Sequence, residues 1–159
     1  MTKIKHLLLF LCMAGCLAAC KKDLADDNYD PTVQFKADTT SIRAFVKKNN
    51  IVTQKEESSG LFYQIIEPGT GDVKYTTSTQ VTANYTGRLL DGTEFETAKD
   101  VKFTLNTVIV GWQLGIPLIQ KGGKIRLIIP SFYGFGNVRN GPVPANSILD
   151  FTIELTDVQ

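Results

Sequence analysis

The residue types that most enzymes use for proton transfer and nucleophilic attack lie at one end of this chain. His6 is the only histidine, and the three cysteines are Cys12, Cys16 and Cys20. The remaining candidates are carboxylates, tyrosines and a single tryptophan, Trp112. The available chemistry therefore depends on whether the N-terminal segment stays with the protein.

The first residues have the pattern of a secretory signal. Lys3 and Lys5 precede an apolar run over residues 7–17, which is shorter than the roughly 20 apolar residues needed to span a bilayer. The run ends in Leu-Ala-Ala-Cys at residues 17–20, which resembles the lipobox of bacterial lipoproteins. That resemblance implies cleavage before Cys20 and a lipid on Cys20. The alternative is an ordinary signal peptide with an accidental cysteine.

These features predict a signal peptide over 1–19 and a lipidated, charged tether over 20–37. They place the protein in the cell envelope, anchored to a membrane by lipid on its periplasmic or outer-membrane face. The mature chain then has no histidine and no free thiol. A Ser-His-Asp triad, a cysteine nucleophile, a His/Cys zinc site and an internal disulfide are therefore excluded.

The charge balance argues against a nucleic-acid partner. Removing Lys3 and Lys5 from the 17 basic residues leaves 15, against 16 acidic residues. A nucleic-acid-binding domain normally carries a clear basic excess.

A short amphipathic helix is predicted over about 39–48, within a helix-and-linker segment of residues 38–57. Asp38 is a suitable N-cap, and Asn49 and Asn50 are suitable stop residues. The apolar stripe, with i, i+3, i+4 spacing, consists of Ile42, Phe45 and Val46. This stripe packs either within the chain or on a second copy, so a homodimer through the helix remains open.

The remainder, residues 58–159, has the texture of one β-rich domain. Residues 80–89 and 148–156 alternate apolar and polar side chains, which is typical of half-buried strands. Asp91-Gly92 after the first of these predicts a hairpin. Further strands are predicted at 61–66, 101–105 and 124–129.

One helical segment, near 109–119, interrupts these strands. Trp112 shares a face with Gly115, Ile116 and Ile119, and Pro117 makes a long regular helix unfavourable. A helix laid on an antiparallel sheet gives a two-layer core. Trp112 stands between Gly111 and Gly115, so either the core or a ligand must cover its ring.

Four stretches, in order and at nearly the family spacing, resemble FKBP-type peptidyl-prolyl isomerases, and they run from about Ser58 to Val158. They are SGLFYQIIEPGTG, VTANYTGRLLDGTEFE, VIVGWQLGIPLIQKGGKIRLIIPSFYGFG and VPANSILDFTIEL. The resemblance implies an α+β fold, in which a curved antiparallel half-barrel sheet wraps one short α-helix, here with an N-terminal helical extension. It also implies a pocket between helix and sheet with Trp112 as its floor, left uncovered by the small glycines on either side.

The same resemblance assigns the pocket residue by residue. The catalytic set that matches the family is Tyr85, Phe95, Glu96, Trp112 and Phe151. The substrate-binding set is Val101, Phe103, Val108, Ile109, Phe135 and Val143. The backbone N–H of Ile109 would donate to a substrate carbonyl. No cofactor and no metal is implied.

Three of these positions depart from the family pattern. Glu96 replaces an aspartate, Val101 replaces an aromatic residue, and Phe135 replaces a tyrosine. The departures affect the expected potency more than the expected fold.

The function implied is cis-trans isomerisation of X–Pro bonds in exported polypeptide clients, which needs neither proton transfer nor bond cleavage. One alternative is a non-catalytic module or chaperone that holds proline-containing segments in the same pocket. Another is an aromatic sugar-binding site, which the aliphatic neighbours of these aromatic residues disfavour.

Overall fold

The computed structural model describes residues 29–56 and 59–159. These residues form two α-helices, three short 3-10 helices and a six-stranded antiparallel sheet. The α-helices are α1 (Pro31–Lys48) and α2 (Val110–Gly115). The strands are β1 (Gln54–Lys55), β2 (Phe62–Glu67), β3 (Gln80–Leu89), β4 (Glu94–Thr104), β5 (Lys124–Ile129) and β6 (Leu149–Val158).

The sheet has the order β1-β2-β5-β6-β3-β4, so its centre is formed by β5, β6 and β3. The bounds of β3 are those predicted from alternation, with Val81, Ala83 and Tyr85 buried on one face. The predicted hairpin joins β3 to β4. In its turn Gly92 adopts a φ of +92° and donates its N–H to the Leu89 carbonyl at 3.0 Å.

Several register shifts interrupt the ladders. They occur between Ala83 and Tyr85 and between Gly87 and Arg88 in the β3–β4 pairing, and between Ile65 and Glu67 in the β2–β5 pairing. Bulges of this kind bend a strand and increase its twist. The open sheet is accordingly curved, and α2 lies in its concave side. The predicted fold class is confirmed.

Helix α2 is short, as Pro117 predicted. It ends at Gly115 and continues as a 3-10 turn, Ile116–Leu118, which contains the proline. Its two glycines face β5. A Cβ at Gly111 would lie 2.5 Å from the Ile129 side chain, and one at Gly115 would lie 2.5 Å from Leu127. The glycines therefore let the helix approach the sheet, a role that was not predicted from the sequence.

Helix α1 begins at Pro31, eight residues before the predicted start, in the stretch assigned to the tether. Asp30 is the N-cap and accepts from Thr32 N at 2.8 Å, while Pro31 occupies the first helical position, where its missing N–H is not needed. The prediction that Asp38 caps the helix was wrong, because Asp38 lies in the helix interior. The predicted end is confirmed, with Asn49 as the C-cap.

The α1 stripe packs within the chain, on the convex face of the sheet. Ile42 is fully buried against Phe62 and Ile128, with Phe45 and Val46 half-buried beside it. On the other face, Leu127 and Ile129 of the same strand pack with α2 in the larger core. Strand β5 is thus covered on both faces, which explains its nearly continuous apolar sequence.

The signal peptide, the lipid attachment at Cys20 and most of the tether lie outside the described residues. In the part of the chain that the structure describes, no helix is both long and apolar enough to cross a membrane.

Candidate functional site

Four aromatic side chains meet above α2. Trp112 is 4% exposed, and three rings approach it nearly perpendicular to its plane. The centroid distances to Trp112 are 5.0 Å for Tyr85, 5.4 Å for Phe103 and 5.3 Å for Phe151. Edge-to-face contacts at this distance are the favourable arrangement of aromatic pairs. The rings form an apolar box with Trp112 at its base.

Three strands supply the walls of this box. Tyr85 lies on β3, Phe103 on β4 and Phe151 on β6. Side chains alternate between the two faces of a strand, so residues at even spacing share the concave face. Tyr85 follows Val81 and Ala83 on that face, and Phe151 precedes Ile153 and Leu155 on it. The period-two patterns read from the sequence therefore aim both rings at α2.

A cavity of about 210 Å³ opens above the box. Its lining combines the aromatic rings with the segment that leads into α2. The lining residues are Tyr85, Glu96, Phe103, Thr107, Val108, Ile109, Trp112, Phe135 and Phe151. Eight of the eleven predicted site residues are thus brought together. Thr107 was missed, and its position directly before Val108 was the available signal.

The entrance to α2 presents a free backbone donor. Ile109 is the N-cap, and its carbonyl accepts from Trp112 N at 2.9 Å. Its own N–H has no acceptor among residues 29–56 and 59–159. Gln113 Nε2 donates to the Val108 carbonyl at 2.8 Å and so fixes this segment. The rim of the cavity therefore offers an N–H to a carbonyl oxygen of a ligand.

Tyr85 and Glu96 form the polar pair of the cavity. The Tyr85 hydroxyl donates to Glu96 Oε1 at 2.7 Å. Burial, the hydrogen bond to Glu96 and the charge of that carboxylate together raise the pKa of Tyr85 to about 12. Tyr85 is therefore a neutral donor at physiological pH, engaged with Glu96 and unsuited to act as a base.

Three predicted residues lie outside the cavity lining. Phe95 packs edge-on against Phe151, with centroids 5.5 Å apart, and supports that ring from behind. Val101 is half-buried on β4 opposite Ala83. Val143 is 2% exposed and belongs to the main core.

The cavity contains no nucleophile–base pair. Its one buried polar atom without a hydrogen-bond partner within the described ranges is Trp112 Nε1. The arrangement can hold a compact apolar ring away from water and bind an adjoining carbonyl at its rim.

The comparisons with known proteins all indicate the same family. The family model of FKBP-type peptidyl-prolyl cis-trans isomerases matches residues 71–156. FkpA of Buchnera aphidicola from Schizaphis graminum is 46% identical over 106 residues, covering 64% of this chain and 42% of that protein. FkpA of Escherichia coli K12 is 40% identical over 119 residues, covering 72% of this chain and 43% of the relative. The chain thus spans less than half the length of these two curated relatives.

Solved structures of related proteins superpose on this fold. The crystal structure of Escherichia coli FkpA superposes with a TM-score of 0.68 at 33% identity, over 80% of this chain and 62% of that one. A peptidyl-prolyl cis-trans isomerase from Pseudomonas syringae gives a TM-score of 0.66 at 28% identity, over 84% of this chain and 99% of that one.

Proposed function

Because this chain belongs to the FKBP-type peptidyl-prolyl cis-trans isomerase family, we propose that it catalyses cis-trans isomerisation of X–Pro bonds in polypeptide clients. The observation that carries the proposal is the apolar cavity floored by Trp112 and walled by Tyr85, Phe103 and Phe151. Aromatic rings line this cavity of about 210 Å³, and its rim offers the Ile109 N–H.

The reaction needs a shaped, dry site and no proton transfer. An amide rotates over a barrier of about 18–20 kcal/mol because twisting removes its resonance. A catalyst lowers that barrier when it binds the twisted amide better than both planar forms. The twisted amide has a less polarised carbonyl, so it loses less hydration than the planar forms on entering an apolar cavity.

Each residue of the site has its own role in this reaction. The Trp112, Tyr85 and Phe151 rings hold the prolyl ring, with Phe95 bracing Phe151. The Ile109 N–H donates to a carbonyl of the client. Glu96 holds the Tyr85 hydroxyl at 2.7 Å and so fixes the tilt of that ring. Phe103, Val108 and Phe135 complete the apolar wall.

The test is an exchange measurement on the chain from Lys21, by NMR or by protease-coupled assay of a short X–Pro peptide. We expect Trp112→Leu to lower kcat/KM by at least about tenfold, because the floor is lost. Tyr63→Phe is the matched control, since it removes a hydroxyl that bonds Gln54 at an exposed site. Saturable peptide binding without catalysed exchange would instead support the alternative, a non-catalytic module that holds proline-containing segments.

We also propose that the mature protein is a lipoprotein of the cell envelope, anchored through Cys20. The support is the sequence at residues 17–20 and the apolar run before it. Cys20→Ser should release the protein from the membrane fraction or leave it unprocessed. Cys16→Ser, inside the predicted signal, is the control and should change neither. Normal processing with unchanged membrane association in Cys20→Ser would contradict the anchor.

We further propose that a homodimer forms through α1. The stripe of α1 is occupied within the chain, but Val33 is 65% exposed and Phe132, which packs beside α1, is 51% exposed. Light scattering of the fragment from Lys21 tests it, with Val33→Asp expected to dissociate a dimer.

A further inference from the structure

Helix α1 lies outside the matched family region, yet it contacts the turn that carries Phe135 into the cavity. The contact is with the 3-10 helix Ser131–Tyr133, which follows β5. The Phe35 ring meets Phe132 and Tyr133 nearly perpendicularly, at centroid distances of 6.5 and 5.9 Å. Phe135, two residues beyond Tyr133, lines the cavity.

The centre of this contact is a buried carboxylate. Asp38 is only 3% exposed, although it lies in the middle of a helix. Its Oδ2 accepts both the backbone N–H and the hydroxyl of Ser131, at 2.7 and 2.6 Å, and its Oδ1 accepts from Gln34 Nε2 at 2.7 Å. Buried polar groups need hydrogen-bond partners, and these three donors give both carboxyl oxygens of Asp38 a partner.

Ser131 connects this carboxylate to the cavity rim. It is itself fully buried. Its carbonyl accepts from Gly134 N at 2.9 Å and from Gly136 N at 2.8 Å, the two residues that flank Phe135. The Gly136 carbonyl in turn accepts from Asn146 N at 2.8 Å. Ser131 is thus bound to α1 by its two donors and to the Phe135 turn by its acceptor.

We propose that Asp38 is a positioning residue for the isomerase site, which holds the Phe135 turn in place through Ser131. The N-terminal helix thereby sets how tightly the cavity binds a proline-containing segment. A turn that is already ordered loses less entropy when a ligand binds. Asp38 does not line the cavity and makes no contact that could favour the twisted amide, so we expect the effect on KM rather than on kcat. The inference rests on the proposed isomerase function for its kinetic part only.

The first measurement is amide hydrogen exchange at Gly134 and Gly136, which needs no activity. Asp38→Ala should accelerate exchange at both amides. The same variant should raise KM for a short X–Pro peptide about three- to tenfold, the range expected when one side chain must be ordered on binding, with kcat within about twofold. Asp38→Asn retains an acceptor oxygen, so its exchange rates and its KM should lie between those of wild type and Asp38→Ala.

Thr39→Ala is the matched control. Thr39 is the next residue of α1 and is also buried, but its hydroxyl bonds within the helix, to the Lys36 carbonyl at 3.1 Å. It should change neither exchange nor KM. If Asp38→Ala does not fold, Ser131→Ala takes its place, because it removes one of the two bonds and should act in the same direction.

Unchanged exchange at Gly134 and Gly136 in a folded Asp38 variant would overturn the proposal, and so would an equal rise in KM in Thr39→Ala. If the wild-type chain binds the peptide without isomerising it, the proposed function fails. The inference is then decided by exchange and by the peptide Kd measured from Trp112 fluorescence, which Asp38→Ala should raise by the same factor.

Discussion

Phe135 is the site residue at which this chain departs most clearly from the family pattern, because a tyrosine there would carry a hydroxyl into the cavity. Phe135→Tyr should tighten binding of a short X–Pro peptide about two- to tenfold, the value of one net hydrogen bond. That bond serves planar and twisted amides alike, so kcat should hardly change. Fluorescence titration and steady-state kinetics measure the two quantities.

Two outcomes would contradict this argument at Phe135. A large increase in kcat would show that the new hydroxyl stabilises the twisted amide. Unchanged affinity would show that Phe135, although it lines the cavity, does not occupy the position of the family tyrosine.

Tyr85 gives a pH-dependent prediction. Its pKa rises from 10.0 to about 12 on folding, so between these values the folded chain keeps a proton that the unfolded chain has lost. The free energy of unfolding should therefore fall as the pH rises through this window. Tyr85→Phe has no hydroxyl at this position, so its free energy of unfolding should not fall for this reason. The variant should be less stable than wild type near pH 7, and the difference in free energy of unfolding between the two should narrow above pH 10.

Urea unfolding at a series of pH values measures the difference between wild type and Tyr85→Phe. The difference cancels the titration of lysines and of other tyrosines such as Tyr75, whose pKa burial also raises. A gap that stays constant from pH 9 to 12 would contradict the burial of the Tyr85 hydroxyl.

At the scale of elements, the sequence predicted the bounds of strands best where apolar and polar side chains alternate and a turn follows. The bounds of β3 and β5 were read correctly because period-two burial or a compact apolar run ends at glycine-containing turns. Strand β4 was predicted only at 101–105 but begins at Glu94, because its bulges and exposed polar residues hide the alternation. The start of α1 was missed because its first turn is exposed and lacks the apolar periodicity of the later turns, although Asp30 followed by Pro31 is a local start signal.

The packing of α2 on β5 gives the prediction at this scale. Gly111→Ala would place a Cβ 2.5 Å from Ile129 Cγ2, and Ile129 is fully buried and branched at Cβ. Overpacking of this kind costs about 1–3 kcal/mol, which exceeds the gain of up to about 1 kcal/mol in helix propensity. We expect a lower Tm, a shifted Trp112 emission and reduced activity.

The control for Gly111→Ala lies in the same helix. Leu114 is 36% exposed, so Leu114→Ala should change stability much less and leave the Trp112 emission in place. A stabilised Gly111→Ala variant would mean that helix propensity outweighs the close approach to β5.

At the scale of the whole molecule, the sheet is covered by α2 on one face and by α1 on the other. The main core and its cavity could be predicted because local patterns and a family resemblance both pointed to them. The link from α1 to the cavity could not, since Asp38 and Ser131 are 93 residues apart and each looks ordinary in its own segment. Only the folded chain shows that a residue assigned as a helix cap is a buried acceptor for the turn at the rim of the site.

This layering predicts how the molecule unfolds. Ile42 packs on Ile128, whose neighbours Leu127 and Ile129 pack with α2, so α1 and the cavity share strand β5. Ile42→Ala should lower the free energy of unfolding by about 2–5 kcal/mol. The loss should appear in one transition, at the same midpoint by far-UV circular dichroism and by Trp112 fluorescence.

The control is Val33→Ala, at a residue 65% exposed in the same helix, which should change the free energy of unfolding by less than about 0.5 kcal/mol. An early loss of helical signal with Trp112 unaffected would show that α1 unfolds on its own.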